Sequence, residues 1–185
     1  MARTDVCPWW AGYTLNWSFR SILHSPNHIL EPYLKPGMTA LDIGCGMGYF
    51  TIPMAKMVGG TGRVVAADLQ EKMLAGRLRN AKKPGVLQQI KPHQCKPNTL
   101  GFDEYASSVD FALAFMMVHE VPDKERLIRE IYATLRDGGT LFFAEPIGHV
   151  GKAAFQQSLQ AFERQGFRVK SEPGIAICRA AVLEK

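Results

Sequence analysis

The sequence predicts an α/β protein: a mostly parallel sheet wound with helices on both faces. Three observations carry this. Five strand-like apolar runs alternate with amphipathic stretches, and two further strands close the chain. Gly44, Gly46 and Gly48 crowd the turn between the first strand and the helix after it. Val109–Met117 is nearly unbroken apolar, as a strand covered on both faces must be.

In chain order, residues 1–20 come first. They hold Trp9, Trp10, Tyr13, Trp17 and Phe19 around Pro8 and Gly12, with no clean period. Ser25-Pro26 reads as a helix start, Ser at the N-cap and Pro at the first helical position, with Pro32 still inside and Leu34–Gly37 ending the element. Met38–Ile43 is a strand, and Tyr49–Val58 a helix with Phe50, Met54, Met57 and Val58 on one face. Arg63–Leu69 is a β-branched strand, Glu71–Ala81 a helix, and Leu87–Lys91 a short third strand. Val109–Met117 follows. Asp123 then caps a helix through Leu135, with Leu127, Ile128, Ile131 and Leu135 on its buried face. Asp137-Gly-Gly139 stops it before the strand Thr140–Glu145. Lys152–Gln165 is a helix stopped by Gly166. Strands Phe167–Ser171 and Ile175–Leu183 are joined by a hairpin-like turn at Glu172–Gly174.

Length and composition exclude several classes. A chain of 185 residues with 46% hydrophobic content builds one core and is not disordered. No run approaches the ~20 apolar residues that span a bilayer, and the first residues carry no long apolar stretch of a secretory signal. Cys7, Cys45, Cys95 and Cys178 are scattered, without C-x-x-C spacing. That fits a reducing compartment, the cytoplasm, and gives no ligand pattern for a metal. The net charge of +5 mildly favours acidic partners. Its densest basic stretch, Arg77, Arg79, Lys82 and Lys83, reads as a solvated helix face, which disfavours nucleic acid as a partner.

The chemistry concentrates at Leu41-Asp-Ile-Gly44-Cys-Gly46-Met-Gly48. Glycines there let the backbone turn tightly and leave room for a ligand against the main chain. Asp68 ends the next strand, 20 residues after Gly48, where a carboxylate can reach both hydroxyls of a ribose. The pattern is G-x-G-x-G, and Tyr49 fills the slot where a dinucleotide fingerprint has its third glycine. Asp42 beside the turn would repel a pyrophosphate but suit the ammonium of an amino acid moiety.

These residues resemble the class I S-adenosylmethionine-dependent methyltransferases. Leu41–Gly48 looks like the family's first motif and Asp68 like its second. Val109-Asp110 with its strand is similar to the fourth-strand motif, and Leu135–Leu141 to the turn into strand five. Met116–Asp123 resembles the small-molecule branch, where a His often follows strand four. The resemblance covers residues 35–185 as a methyltransferase domain, with residues 1–34 as an aromatic segment and helix, a candidate lid. It implies a Rossmann-like, doubly wound sheet of seven strands in the order 3-2-1-4-5-7-6, strand seven antiparallel. Carried over, Asp42, Gly44, Cys45, Gly46 and Gly48 would surround the methionine part of S-adenosylmethionine. Asp68 would take the ribose, Leu69 and Met73 would flank adenine, and Phe115 and Met116 would lie beside the methionine end. The family often has an acid after strand three for the adenine amine. Here the stretch is His93-Gln94-Cys95-Lys96, which leaves Gln94 or a backbone contact at Cys95 for that task.

His119 and Glu120 stand just past the strongest strand and are the candidate catalytic residues, with Glu145 and His149 next in line. An imidazole at that edge can accept a proton from an acceptor as the methyl moves. The implied activity is methyl transfer to a small-molecule acceptor that the sequence does not name, by an assembly of unstated oligomeric order. Two alternatives stand: a nucleic-acid methyltransferase, disfavoured because Phe115–His119 lacks the Asn/Asp-Pro-Pro-aromatic segment of amino-adenine enzymes, and a non-catalytic module that binds S-adenosylmethionine. A metalloid acceptor held by Cys7 and Cys95 is a further reading.

Overall fold

The computed structural model describes residues 23–82 and 85–185. The aromatic residues between Trp9 and Phe19, Cys7 and Lys83 lie outside the described residues, as do the side chains of Arg77 and Arg79.

Seven strands form one sheet: β1 (Thr39–Ile43), β2 (Arg63–Asp68), β3 (Ile90–Gln94), β4 (Val109–Phe115), β5 (Leu135–Pro146), β6 (Arg168–Ser171) and β7 (Cys178–Glu184). Their order is β3-β2-β1-β4-β5-β7-β6. The pairs through β5 are parallel, and β7 runs antiparallel to both β5 and β6. Among the described residues the α-helices are α1 (Pro26–Leu30), α2 (Thr51–Val58), α3 (Glu71–Lys82), α4 (Lys124–Thr134) and α5 (Lys152–Gln165).

Alternation along each strand divides the core between two faces. Ala40, Val64, Phe111, Leu113, Phe142 and Val182 face α1, α2 and α3, meeting Leu30, Met54, Val58 and Leu74. Leu41, Val65, Ala112, Leu141, Phe143 and Leu183 face α4 and α5, meeting Ile128, Ile131, Phe155 and Phe162. Of the apolar stripe read on α4, Leu127, Ile128 and Ile131 are buried there, and Asp123 caps that helix by accepting from the Arg126 amide at 3.0 Å. Tyr33, just beyond α1, stacks on Phe111 with ring centroids 6.2 Å apart, so the region around α1 packs against the sheet itself.

Several boundaries differ from the sequence reading, each for a local reason. Helix α1 stops at Leu30 because Pro32 has no amide to donate and its ring crowds the preceding turn. Leu87–Gln89 is a 3₁₀ turn, and the third strand begins at Ile90. It carries Pro92, tolerated because β3 is an edge strand. Leu135 leaves α4 to pair with Val109, and the Asp137-Gly-Gly139 turn becomes a bulge between Val109↔Leu135 and Phe111↔Thr140. The final strand starts at Cys178, not Ile175. A turn closed by the Cys178 amide on the Ile175 carbonyl, 3.1 Å, precedes it, and the Ile147 amide binds the Ile177 carbonyl at 3.0 Å. The connection between β6 and β7 is thereby tied to the end of β5.

Candidate active site

A cavity of about 980 Å³ opens along the carboxyl edge of β1, β2 and β4. This is the edge where doubly wound sheets bind ligands, and the volume is at the upper end for a small-molecule site, enough for a cofactor and a second molecule.

One end is built by the glycine turn. Gly44, Gly46 and Gly48 all have positive φ, at 70°, 51° and 90°. At Gly44 a side chain is disfavoured twice, by the positive φ and because a Cβ would press on the Met117 side chain at 3.0 Å. Asp68 holds the turn from outside: Oδ2 accepts from the Gly46 amide and Oδ1 from the Gln70 amide, both at 2.9 Å. Asp42 is buried, and its Oδ2 accepts from Thr51 Oγ1 at 2.5 Å, joining the end of β1 to the first turn of α2. Asp42, Gly44, Cys45, Gly46, Asp68, Leu69 and Met73 line the cavity. Gly48 does not appear on its wall; its amide closes the turn on the Cys45 carbonyl at 3.0 Å.

Cys95 lines the cavity, whereas Gln94 is exposed and lies off its wall. Burial pushes the Cys95 thiol up to about 12, helped by the carboxylates of Asp68 and Glu130, so it stays protonated at neutral pH. The loop after it, Lys96–Leu100, also walls the cavity. Two ties hold its end: Glu130 of α4 accepts from the Leu100 amide at 2.5 Å, and His93 Nε2 meets the Leu100 carbonyl at 2.6 Å. Neither tie was visible as a motif.

The other end lies past β4. Phe115 is packed by Phe50, with centroids 4.6 Å apart, and edge-on by His24 at 5.2 Å. Met116 takes φ of 58°, a left-handed conformation rare for a side chain of this size, and its amide binds the Ala144 carbonyl at 2.7 Å. That turn ends β4 two residues earlier than the apolar run suggests and leads the chain into the 3₁₀ turn Val118–Glu120. His119 and Glu120 both line the cavity.

The partner that orients His119 is Glu145, at the end of β5. Its Oε1 accepts from the His119 amide at 2.9 Å, and Oε2 lies 2.5 Å from Nδ1. Glu145 is only 2% exposed. Burial raises its carboxyl above the ordinary range, and the two contacts with His119 pull against that rise. On the other side of the ring, His119 Nε2 is 3.4 Å from Nδ1 of His149, which is exposed and also lines the cavity.

Leu23 and His24 complete the wall. His24 is buried, with Nε2 2.8 Å from the Ala176 carbonyl and 3.6 Å from Cys178 Sγ. Nothing local in the sequence marks His24, a lone histidine before a short helix, as a site residue. Among the described residues, no group of three or more His, Cys, Asp or Glu is placed to hold a metal ion, and no helix is long and apolar enough to cross a membrane.

The glycine turn and the acidic end of β2 face His119 across one cavity at the carboxyl edge of this seven-stranded sheet. Residues 40–139 match the family model described as a methyltransferase domain, and the chain belongs to that family. The fold is that of the class I S-adenosylmethionine-dependent methyltransferases. An S-adenosylmethionine-dependent methyltransferase from Aquifex aeolicus superposes with a TM-score of 0.85 over 96% of this chain and 98% of that one, at 23% identity. Among curated proteins, the chain is similar to a ubiquinone/menaquinone biosynthesis C-methyltransferase of Enterobacter sp. (strain 638), 32% identical over 62% of this chain and 46% of that protein. The corresponding Escherichia fergusonii protein is 27% identical over 80% of this chain and 57% of that one. The chain spans about half the length of the curated relatives it matches.

Proposed function

We propose that this chain transfers a methyl group from S-adenosylmethionine to a small-molecule acceptor, with His119 accepting the proton that the acceptor gives up. The observation that carries the reading is the shared cavity: the glycine turn and Asp68 wall one end, and the imidazole of His119 the other.

The residues fit the cofactor. Positive-φ glycines leave the backbone open to a ligand, Asp68 stands at the end of β2 for a ribose, and Asp42 puts negative charge beneath the place of an ammonium group. Leu69 and Met73 offer apolar contact for adenine. Cys95 is the first residue after strand three on the cavity wall, so its backbone, and not the exposed Gln94, is the better candidate for the adenine amine. Phe115 and Met116 would lie along the methionine moiety. When bound, the cofactor supplies a methyl carbon already activated by a sulfonium. The acceptor's electron pair would form the new bond to that carbon while the carbon–sulfur pair would return to sulfur.

The protein then has three tasks: to align the two molecules, to exclude water and to take a proton where the acceptor carries one. Phe50, Phe115, Met117 and Ile177 give the cavity an apolar wall. We further propose a carbon acceptor made nucleophilic by loss of a proton from a ring hydroxyl. The C-methyltransferase names of the curated relatives support the carbon acceptor, and His119 on the cavity wall supports the loss of a proton. A metalloid held by thiolates is disfavoured by the high value of Cys95.

The test is a transfer assay with labelled S-adenosylmethionine against a metabolite extract, with mass identification of the methylated product. A labelled small molecule with a new carbon–methyl bond is the expected result. Tight cofactor binding with no labelled product from any fraction would instead mark a binding module, and labelled RNA or DNA a nucleic-acid enzyme.

A further inference from the structure

The carboxylate of Glu145 has both oxygens committed to one residue. Oε1 takes the His119 amide proton and Oε2 faces Nδ1, from a site that is 2% exposed. An ionised carboxylate can only accept, so Nδ1 carries the proton and the lone pair of the neutral ring falls on Nε2. The His119 side chain keeps 19% exposure, within a cavity that it helps to wall. The 3.4 Å between Nε2 and His149 Nδ1 is a long, weak contact that an acceptor hydroxyl can replace.

We propose that Glu145 is the positioning residue of this site, holding His119 in the tautomer whose Nε2 takes the acceptor's proton, and that His149 hands that proton to solvent. The proposal rests on the reading above that the acceptor lies beside His119. The balance is simple. The acceptor's X–H bond breaks with its electron pair left on X, and the Nε2 lone pair forms the new N–H bond. The imidazolium so formed stands against the buried carboxylate of Glu145. Nε2–H then donates to His149 Nδ1, and the far nitrogen of His149 releases a proton to water. Other charged groups face this relay from the surrounding elements. Lys124 at the start of α4 acts on Glu145, Glu120, Asp123 and Arg126 line the same cavity, and Arg179 lies opposite Glu145 in the β7 register. Glu120, the sequence-adjacent carboxylate, is not the one that holds the ring.

Glu145→Gln separates positioning from packing. Glutamine keeps the shape but has one acceptor oxygen. With that oxygen on the His119 amide, its NH₂ faces Nδ1 and forces the proton to Nε2, filling the lone pair the reaction needs. Nitrogen-15 NMR of histidine-labelled full-length chain reads this without any acceptor, the His119 signals being assigned by their loss in His119→Gln. Wild type should show protonated Nδ1 and bare Nε2 in the neutral ring. Glu145→Gln should reverse the two, while Glu145→Asp and His149→Ala should keep the wild-type pattern. With the acceptor identified from the extract assay, Glu145→Gln should lower kcat by about 10²-fold with KM little changed. His149→Ala should lose several-fold and recover with added imidazole.

A bare Nδ1 in the wild type overturns the proposal even if Glu145→Gln fails to fold. So does a folded Glu145→Gln with the wild-type tautomer, or one with the reversed tautomer and full turnover. His149→Ala at full rate, without response to imidazole, removes the outlet. A wild type with the expected tautomers that methylates nothing upholds the assignment of Glu145 and defeats the methyl-transfer reading instead.

Discussion

Glu145 Oε2 lies 2.5 Å from His119 Nδ1, although 26 residues separate the two in sequence. The parallel pairing of β4 with β5 brings them together. Phe115 is opposite Ala144 in the ladder, so the loop leaving β4 passes directly over the end of β5. Strand register thus supplies the second member of the pair, and the left-handed turn at Met116 aims the first.

The buried position of Glu145 has a consequence for stability. Its carboxyl is raised by burial in the folded state, so folding favours the protonated form. The corresponding stability is fully present below the unfolded carboxyl value, near 4.3, and is lost as pH rises through the raised folded value. Glutamine does not titrate. Wild type should therefore compare best with Glu145→Gln at low pH and lose ground toward neutrality, as followed by denaturant midpoints across that range. A gap that widens in favour of wild type as pH rises would contradict this.

Asp68→Ala should weaken S-adenosylmethionine binding by about 1.5–3 kcal/mol, the range for hydrogen bonds to a charged group. It also frees the Gly46 and Gln70 amides, so some of the loss will come from a loosened turn. Calorimetry should also show no binding of NAD. Equal affinity in wild type and variant would remove Asp68 from the site.

Gly44 and Gly46 make a matched comparison. Both have positive φ, but a Cβ meets Met117 at 3.0 Å only at Gly44; at Gly46 nothing lies within 4 Å. Gly46→Ala should cost about 1–2 kcal/mol of stability from backbone conformation alone. Gly44→Ala should cost more, and Met117→Ala introduced beside it should return part of the difference. Identical losses in chemical denaturation would rule out the steric account.

Cys95 should be slow to alkylate at pH 8, because its thiol is pushed up to about 12 by burial and two nearby carboxylates. The sign for stability follows: the contribution holds below the unfolded thiol value and disappears as pH climbs from there toward 12. Mass spectrometry of iodoacetamide-treated native protein, peptide by peptide, measures the first effect. Labelling of Cys95 as fast as a free thiol would contradict it.

His119→Ala should lower the transfer rate by ~10²–10⁴-fold, the range for one positioned proton-transfer group, while cofactor affinity stays near wild type. Loss of both binding and fold would make His119 a scaffold residue.

Much of this molecule was legible in one dimension because the relevant signals are local. The strand of β4 announces itself by an unbroken apolar run, the buried stripe of α4 by helical spacing, and the glycine turn by residues needed for positive φ. The aspartate that closes that turn lies on the next strand at a fixed offset, so Asp68 could be named from spacing. Strand order and the antiparallel β7 came with the family resemblance and agree with the sheet. What needed the tertiary structure is whatever joins residues distant in sequence through the sheet. His119 pairs with Glu145 instead of adjacent Glu120 because β4 and β5 are neighbours. Gln94 turns away from the cavity while Cys95 enters it, a choice made by alternation at an edge strand whose exact start the sequence placed three residues early. His24 reaches the wall because the β6–β7 connection offers it the Ala176 carbonyl, 152 residues away. Local propensity and spacing determine elements and turns; which side chains meet across them depends on register, and register is a property of the assembled sheet.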